Sequence, residues 1–330
     1  MTRRTFTSLA AAAVFNGTPP PSKMGICTTS YLSFQRPKDT MEFLEHCHAL
    51  GAAGIQAQIN GDIPKVRARA EQLGMFIEAM LPLPKGKDIA QFERAVLDAK
   101  AVGATCARTG ALSGRRYETF ATLADWQQFV SNSLASLKAA VPILEKHRFA
   151  MGLENHKDWT VDEMLAVLKN HSSEYLGACI DFGNNISLLD EPHSVVEKLA
   201  PYAITTHVKD MGVEEWKDGF LLSEMTLGEG YLDVPRMIAA VRQARPKTRM
   251  ILEMITRNPL EVPCLKEKYW ATFPDRSGIY MARTLQTVQK EGHQLQGLPR
   301  VDMLNREAQL RLEDENVKVC LNHAREKLAL

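Results

Sequence analysis

The feature that most constrains the fold is a repeated alternation of short, apolar, β-forming segments with longer segments of helical period. We predict eight strands, near residues 25–32, 54–60, 75–81, 105–111, 150–155, 177–182, 203–209 and 250–254. The intervening segments, such as residues 123–147, carry apolar residues at the three- and four-residue spacing of an amphipathic helix. Continuous strand–helix alternation implies parallel strands, and eight repeats favour a closed (β/α)8 TIM barrel.

A doubly wound open sheet is the alternative architecture. The turn after the first predicted strand reads TTSYLSFQRP at residues 28–37. It lacks the glycine-rich loop with which such sheets bind nucleotide phosphates. This turn therefore favours the barrel.

The chain divides into three predicted parts. Residues 1–23 place Arg3 and Arg4 before a phenylalanine and an alanine-rich run, as in a twin-arginine export signal, although a chance arginine pair is the alternative. Residues 24–292 form the barrel, and residues 293–330 form a helical extension that could pack on the barrel or on a second subunit. We expect a periplasmic protein, or a cytoplasmic one if the signal interpretation is wrong. The protein could form a homo-oligomer.

The charge balance limits the class of partner. The chain has 40 basic and 39 acidic residues, so it presents no strong field to nucleic acid or to an anionic membrane. No segment reaches the roughly 18 continuous apolar residues of a membrane span. We therefore expect a small, neutral or weakly charged ligand.

Four successive predicted strands end in a side chain that can bind a metal. They are Glu154, Asp181, His207 and Glu253. The carboxyl ends of barrel strands converge on one mouth, so these residues are expected to surround a single ion. Three carboxylates and one imidazole form a mainly hard ligand set that suits Mn²⁺, Mg²⁺ or Co²⁺. This set differs from the thiolates of a structural zinc site. Taken singly, a carboxylate could instead cap a helix, and the histidine could belong to the core.

The order of these four residues also gives the chain a family resemblance. Together with HVKD at residues 207–210 and LGEG at 227–230, it resembles the xylose isomerase-like barrels termed sugar phosphate isomerases/epimerases, over about residues 25–292. That group includes ketose 3-epimerases and inosose dehydratases. The resemblance implies that Glu154, Asp181, His207 and Glu253 bind one divalent cation, with Mn²⁺ as first choice and Mg²⁺, Co²⁺ or Zn²⁺ as alternatives.

The sequence departs from the ketose 3-epimerases at two positions. Those enzymes have a second glutamate soon after the first ligand and a histidine shortly after the aspartate, whereas this chain reads HKDWT and FGNN there. Asn184 occupies the place of that histidine. ENH and DFGN look more like the lyases and dehydratases of the superfamily, which argues against ordinary ketose 3-epimerisation.

Further side chains are predicted to face the mouth. Strand alternation puts His156 on the side of Glu154 and Lys209 on the side of His207, so His156 could act as acid or base and Lys209 could stabilise an oxyanion. Both could instead only orient or pair with a ligand residue. Candidate substrate-binding residues are Arg108, Arg257, Trp270 and Asn184.

The family resemblance, together with these residues, implies an isomerase or epimerase that acts on a keto-sugar or related polyol. In this hypothesis a cation polarises the carbonyl, and Glu154 or Glu253 removes the neighbouring proton to give an enediolate. Elimination from a keto-sugar or keto-glycoside by a lyase or dehydratase is the alternative, because it shares the first half-reaction. A non-catalytic periplasmic carbohydrate-binding protein is a third hypothesis, from a different class.

Overall fold

The computed structural model describes residues 22–86, 89–294 and 297–330, so nearly all of the predicted export signal lies outside the described residues. The strands are β1 (Gly25–Cys27), β2 (Gly54–Ala57), β3 (Phe76–Met80), β4 (Ala107–Thr109), β5 (Met151–Glu154), β6 (Leu176–Asp181), β7 (Ala203–His207), β8 (Asp210–Trp216), β9 (Gly219–Met225), β10 (Ile251–Leu252) and β11 (Leu260–Val262). The helices are α1 (Thr40–Ala49), α2 (Ile63–Leu73), α3 (Ile89–Ala101), α4 (Arg116–Thr119), α5 (Leu123–His147), α6 (Val161–His171), α7 (Pro192–Leu199), α8 (Val234–Ala244), α9 (Glu267–Trp270), α10 (Gly278–Gly292) and α11 (Arg306–Lys327).

Eight of these strands form the predicted barrel. They lie in the order β10-β1-β2-β3-β4-β5-β6-β7, and each neighbouring pair is parallel. A parallel bridge between Val208 and Leu252 joins the two ends of the sheet, and the Glu253 amide donates to the Val208 carbonyl at 3.1 Å. The fold class predicted from the strand–helix alternation is therefore confirmed.

Local sequence signals fix several element boundaries. Helix α5 begins after Thr122, whose side chain accepts from the Asp125 amide, and ends at Arg148 in the left-handed conformation. Helix α6 begins with a capping box between Thr160 and Glu163. The loop between β5 and α6 is therefore held firmly at its helical end.

Two segments differ from the predicted secondary structure. The first strand ends at Cys27, because residues 28–31 turn into a 3-10 helix that brings Thr29 to the barrel mouth. Residues 210–225 form a β-hairpin, β8–β9, which pairs with β11 in a separate antiparallel sheet. The prediction missed this hairpin because its two strands follow the seventh barrel strand without a helix between them.

The C-terminal helix α11 packs against loops of the same chain. Glu313 accepts hydrogen bonds from the amides of Phe34 and Gln35 in the loop after β1. Asn316 donates to the Thr256 hydroxyl at 2.8 Å, next to the last barrel strand. The extension was expected to pack on the barrel or on a second subunit, and in this structure it contacts the barrel of its own chain. No described helix has the length and apolar character needed to cross a membrane.

Candidate active site

The four predicted ligand residues meet at the mouth of the barrel. Their ligand atoms lie within 4.8 Å of one another, and each residue is at most 3% exposed. The Nδ1 atom of His207 is 3.4 Å from Glu154 Oε1, 3.4 Å from Glu253 Oε1 and 3.7 Å from Asp181 Oδ2. Four consecutive strands of the ring, β5, β6, β7 and β10, thus each supply one side chain.

The spacing and chemistry of the cluster fit a divalent cation. Metal–ligand bonds of about 2.1 Å at tetrahedral angles separate ligand atoms by about 3.4 Å, close to the distances around His207. His207 Nε2 lies 2.7 Å from Gln56 Oε1, and this acceptor requires a proton on Nε2. The Nδ1 atom faces the carboxylates and makes no hydrogen bond to any described residue. A lone pair facing carboxylates is unfavourable, so this position calls for a cation or a proton between them.

The pKa of His207 reflects the same arrangement. Burial alone would lower it, but the facing carboxylates, Glu253 and Glu154, and the nearby Cys179 and Cys27 outweigh burial and hold the pKa of His207 well above its usual range. Cys27 also forms a second potential ligand group with His207 and Glu253. Sequence analysis assigned no role to Cys27, although it ends the first barrel strand.

Cationic side chains surround the carboxylates. Arg108 Nη2 lies 2.7 Å from Glu154 Oε2, and Lys209 Nζ lies 2.8 Å from Asp181 Oδ2 and 2.5 Å from Glu253 Oε2. Burial opposes ionisation of Glu154 and Glu253, but these cations and His207 hold the pKa of each glutamate below its usual range. The same carboxylates hold the pKa of Lys209 above its usual range despite burial. All of these groups are therefore charged near neutral pH.

A second set of hydrogen bonds supports the cluster from below. Gln56, which contacts His207, donates to Glu78 Oε2 at 3.1 Å, and the Thr205 hydroxyl donates to the same oxygen at 2.5 Å. On the other side, Asp210 accepts from the amides of Gly228 and Gly230. A Cβ at Gly230 would lie 2.1 Å from the Asp210 carboxylate, so only glycine fits there. HVKD and LGEG, which carry part of the family resemblance, are thus joined and fix the strand that presents His207 and Lys209.

Asn184 lies between the cluster and a buried lysine. Its amide nitrogen donates to Glu154 Oε1 at 3.1 Å, and its carbonyl oxygen accepts from Lys157 Nζ. Burial, with Arg257 and Lys209 nearby, lowers the pKa of Lys157 to about 8. Asn184 was a predicted substrate-binding residue, whereas no role was predicted for Lys157. The signal for Lys157 was its place in HKDWT, one of the two departures from the epimerases.

A cavity of about 1060 Å³ opens above the cluster. Its charged and polar wall contains Glu154, Glu253, Arg108, His156, Lys157 and Arg257, and its other wall includes residues 80–84 and residues of α5. His156 is half-buried, and its Nδ1 has no hydrogen-bond partner among the described residues. Burial and the positive charge of Lys157 lower the pKa of His156 to about 4, so the ring is neutral at pH 7.

The remaining candidates divide into one residue that lines the cavity and one that does not. Arg257 lines the cavity and pairs through two nitrogen atoms with Glu224 on β9, a partner that the unpredicted hairpin supplies. Trp270 is absent from the described cavity lining. Its ring packs against Tyr269 and Phe273, and its Nε1 donates to the Cys264 carbonyl at 2.8 Å. The loop after β10 forms β11 and α9, and this directs Trp270 into local packing.

Comparison with known proteins places this geometry in a family. Residues 44–272 match the family described as xylose isomerase-like TIM barrel. A curated relative, the 3-oxo-isoapionate decarboxylase of Pectobacterium atrosepticum, is 27% identical over 223 residues, which is 66% of this chain and 76% of that protein.

Solved structures share the fold at lower identity. An L-ribulose 3-epimerase has a TM-score of 0.56 at 14% identity, with 93% of this chain and 96% of that chain covered. A xylose isomerase-like TIM barrel protein from Mycobacterium smegmatis in complex with magnesium has a TM-score of 0.52 at 15% identity, with 82% and 98% covered. The similar proteins thus include sugar-modifying enzymes and a magnesium-bound barrel. With more than half of its residues matched, this chain belongs to the xylose isomerase-like TIM barrel family.

Proposed function

We propose that this protein is a divalent-cation-dependent enzyme that converts a keto-sugar or a related polyol through an enediolate, as an isomerase or epimerase. The observation that carries the proposal is the convergence of Glu154, Asp181, His207 and Glu253 around one point at the base of the cavity. The cation proposed for the cluster is Mn²⁺, with Mg²⁺, Co²⁺ or Zn²⁺ as alternatives. When bound, such an ion supplies Lewis-acid polarisation of the substrate carbonyl.

The base in this proposal is His156. The sequence-based candidates were Glu154, Glu253 and His156. Arg108 pairs with Glu154, and Lys209 and Thr29 occupy both oxygens of Glu253. A carboxylate held this way accepts a proton poorly. His156 is neutral and its side chain lines the cavity, so in this proposal the ring takes the proton from the carbon next to the carbonyl.

The surrounding cations stabilise the negative charge that develops. Lys209 keeps its ammonium charge beside Asp181 and Glu253, and a charged group already in place costs little reorganisation during the reaction. In this proposal Arg108, Arg257 and Asn184 hold substrate oxygens. Return of the proton by His156 to the adjacent carbon gives isomerisation, whereas epimerisation requires that a water molecule protonates the opposite face.

A second candidate is decarboxylation of a 3-oxo sugar acid. Two observations favour it: the similarity to 3-oxo-isoapionate decarboxylase, and the ion pairs that make both ligand glutamates poor bases. In this reaction the bond to the carboxylate carbon breaks, CO2 leaves, and the electron pair enters the enolate of the 3-oxo group, which is an enediolate where the neighbouring carbon carries a hydroxyl group. No base is needed, and a proton is then added to the carbon. Elimination of a β-leaving group, the lyase alternative, starts as the epimerisation does.

The test is turnover of keto-sugars, a keto-glycoside and a 3-oxo sugar acid in D2O by the metal-loaded protein, followed by NMR. Exchange of a proton next to the carbonyl indicates deprotonation, whereas CO2 release with incorporation of one deuteron indicates decarboxylation. His156→Gln should lower a deprotonation-dependent rate by about 10²–10⁴-fold with metal content unchanged, since general base catalysis contributes about that much.

The matched control is His48→Gln, a change of an exposed histidine on α1, which should leave turnover unchanged. Full exchange activity in His156→Gln would contradict the base assignment. Absence of exchange, elimination and CO2 release on the whole panel would contradict the proposed function and favour a non-catalytic carbohydrate-binding protein.

We also propose that the protein is exported to the periplasm by its twin-arginine segment. The support is the sequence of residues 1–23 alone. Fractionation of cells expressing the full chain and an Arg3→Lys, Arg4→Lys variant tests this, and retention of both in the cytoplasm would contradict it.

A further inference from the structure

Lys157 differs from the other cations around the cluster because its direct hydrogen-bond partner is a neutral side chain. Arg108, Lys209 and Arg257 each pair with at least one carboxylate. Within the described parts of the chain, no ion pair joins Lys157 to a carboxylate, and its Nζ donates to the neutral Asn184 side chain. Among the described residues at this mouth, Lys157 is therefore a cation that contacts no carboxylate directly, and Glu224 and Asp181 act on it only from a distance.

This arrangement is costly for folding. Lys157 is 4% exposed, so water cannot solvate its ammonium group well. A buried charge is ordinarily paired, because removing it from water costs several kcal/mol (order of magnitude). A bound anion would offset this cost, because it would form an ion pair with the buried ammonium group.

The position of Lys157 is fixed before any ligand arrives. Its carbonyl accepts from the Arg116 amide at 2.8 Å, and the next residue, Asp158, accepts from the amides of Trp159 and Leu112. Arg116 is itself buried between aromatic rings, with its guanidinium carbon 3.7 Å from the Trp126 ring centre. A lysine on a loop held this way can bind an anion without the loop ordering on binding.

The lysine also faces the reaction site. It lines the same cavity as Glu154 and His156, and only the Asn184 side chain lies between its Nζ and Glu154 Oε1. A substrate group bound to Lys157 would thus lie within a few bonds of an atom held at the metal cluster.

We propose that Lys157 binds a carboxylate of the substrate, so that the enzyme acts on an oxo acid of a sugar and not on a neutral keto-sugar. This inference rests on the proposed function and narrows its substrate class. One ammonium group balances the single charge of a carboxylate. A phosphate ester carries close to two negative charges at pH 7, and the neighbouring cations already have carboxylate partners.

The experiment measures binding and needs no turnover. D-gluconate, D-glucitol and D-glucitol 6-phosphate have no ketone or aldehyde group and cannot react, so their binding reports recognition of a carboxylate, a hydroxymethyl group and a phosphate. Their affinities for the metal-containing protein are measured by calorimetry, with metal content determined in each sample. We expect gluconate to bind at least about 10-fold tighter than either of the other two, as befits a charge-assisted contact.

Two variants assign the preference to Lys157. Lys157→Met and Lys157→Gln should each weaken gluconate binding about 10- to 100-fold and leave glucitol binding within about 3-fold. Two side chains of different polarity are used because one of them could fail to fold. Lys85→Met is the matched control, since Lys85 lines the same cavity but is exposed, and it should keep the preference.

Each alternative outcome overturns the inference in a distinct way. Equal binding of gluconate and glucitol by the wild type removes the carboxylate site. A preference that survives both Lys157 variants assigns the carboxylate to another group, such as the metal ion. Tighter binding of the phosphate ester than of gluconate would mean that the site recognises a phosphate and not a carboxylate. If any of these is found while neutral keto-sugars still exchange their proton in D2O, the proposed function stands and only this inference fails.

Discussion

The two halves of the barrel differ in what their strand ends supply. Strands β5, β6, β7 and β10 are consecutive around the ring, and they carry all four residues of the cluster. Strands β1 to β4 and the loops after them supply Gln56, Glu78 and Arg108, which support that cluster, and much of the cavity wall. One half therefore holds the ligand set, and the other half orients it and shapes the space above it.

In this barrel, the residues that could bind the cation and most of the residues that orient them lie on different strands. A side chain at a strand end can contact only the neighbouring strands and the centre of the mouth. Cluster residues on adjacent strands therefore meet directly, whereas Gln56 reaches His207 from the far side of β1 and β10. Substitutions in the two halves should therefore differ in how strongly they weaken metal binding.

The first prediction concerns the ligand half. Asp181→Asn should reduce bound metal to less than about a tenth of the wild-type content and turnover by at least about 10³-fold, because a neutral amide replaces a charged ligand. The remaining amide oxygen can still accept from Gly183 and Asn184, as Asp181 Oδ1 does, so the loop should stay folded. Elemental analysis and circular dichroism provide the measurement.

Asp162→Asn is the control for this prediction. Asp162 is an exposed carboxylate that pairs with Lys198, and its loss should leave metal content unchanged. Full metal occupancy in Asp181→Asn would exclude Asp181 from the ligand set.

The second prediction concerns the supporting half. Gln56→Ala removes the acceptor that fixes the His207 ring, and loss of such a partner typically weakens metal binding about 10- to 100-fold. Competition with a chelator measures this affinity. Gln58→Ala, a change two residues further along at the cavity wall, should leave metal affinity unchanged. Equal metal affinities of the wild type and Gln56→Ala would mean that His207 does not need Gln56 for its orientation.

The third prediction concerns the buried charge of Lys157. Lys157→Met should raise the free energy of unfolding of the metal-free protein at pH 7 by roughly 2 kcal/mol, after allowing for its lost hydrogen bond. Denaturant unfolding measures the difference, with Lys85→Met as the exposed control.

The pH dependence gives a check on the cause. The pKa of Lys157 is about 8 in the folded state, below its ordinary value of 10.5, so the folded protein loses this proton first. Between these two values the unfolded state binds more protons, and wild-type stability gains with rising pH relative to the variant. The advantage of Lys157→Met should be largest below pH 8 and shrink towards pH 10.5. A difference that stays constant with pH would rule out the buried charge as its origin.

The sequence predicted the barrel because its evidence is local and repeated. Amphipathic spacing and helix caps act within a few residues, and helix α5 begins and ends where the pattern placed it, at residues 123 and 147. The hairpin at residues 210–225 was missed because it lies outside the strand–helix repeat. With it, the partner of Arg257 was missed, since Glu224 gains a role only when β9 folds back over the mouth.

The candidate site was predictable to the extent that it follows from strand position. Glu154, Asp181, His207 and Glu253 each end a barrel strand, and parallel strands in a closed ring must bring such residues together. The order of residues was therefore enough to predict this ligand set. Which charges are paired depends on three-dimensional packing, because ion pairs such as Arg108–Glu154 join neighbouring strands that a long helix separates along the chain. Among the described residues, Lys157 bonds to the neutral Asn184 side chain and not to a carboxylate, and Trp270 is used in local packing. Neither outcome can be read from the order of residues along the chain.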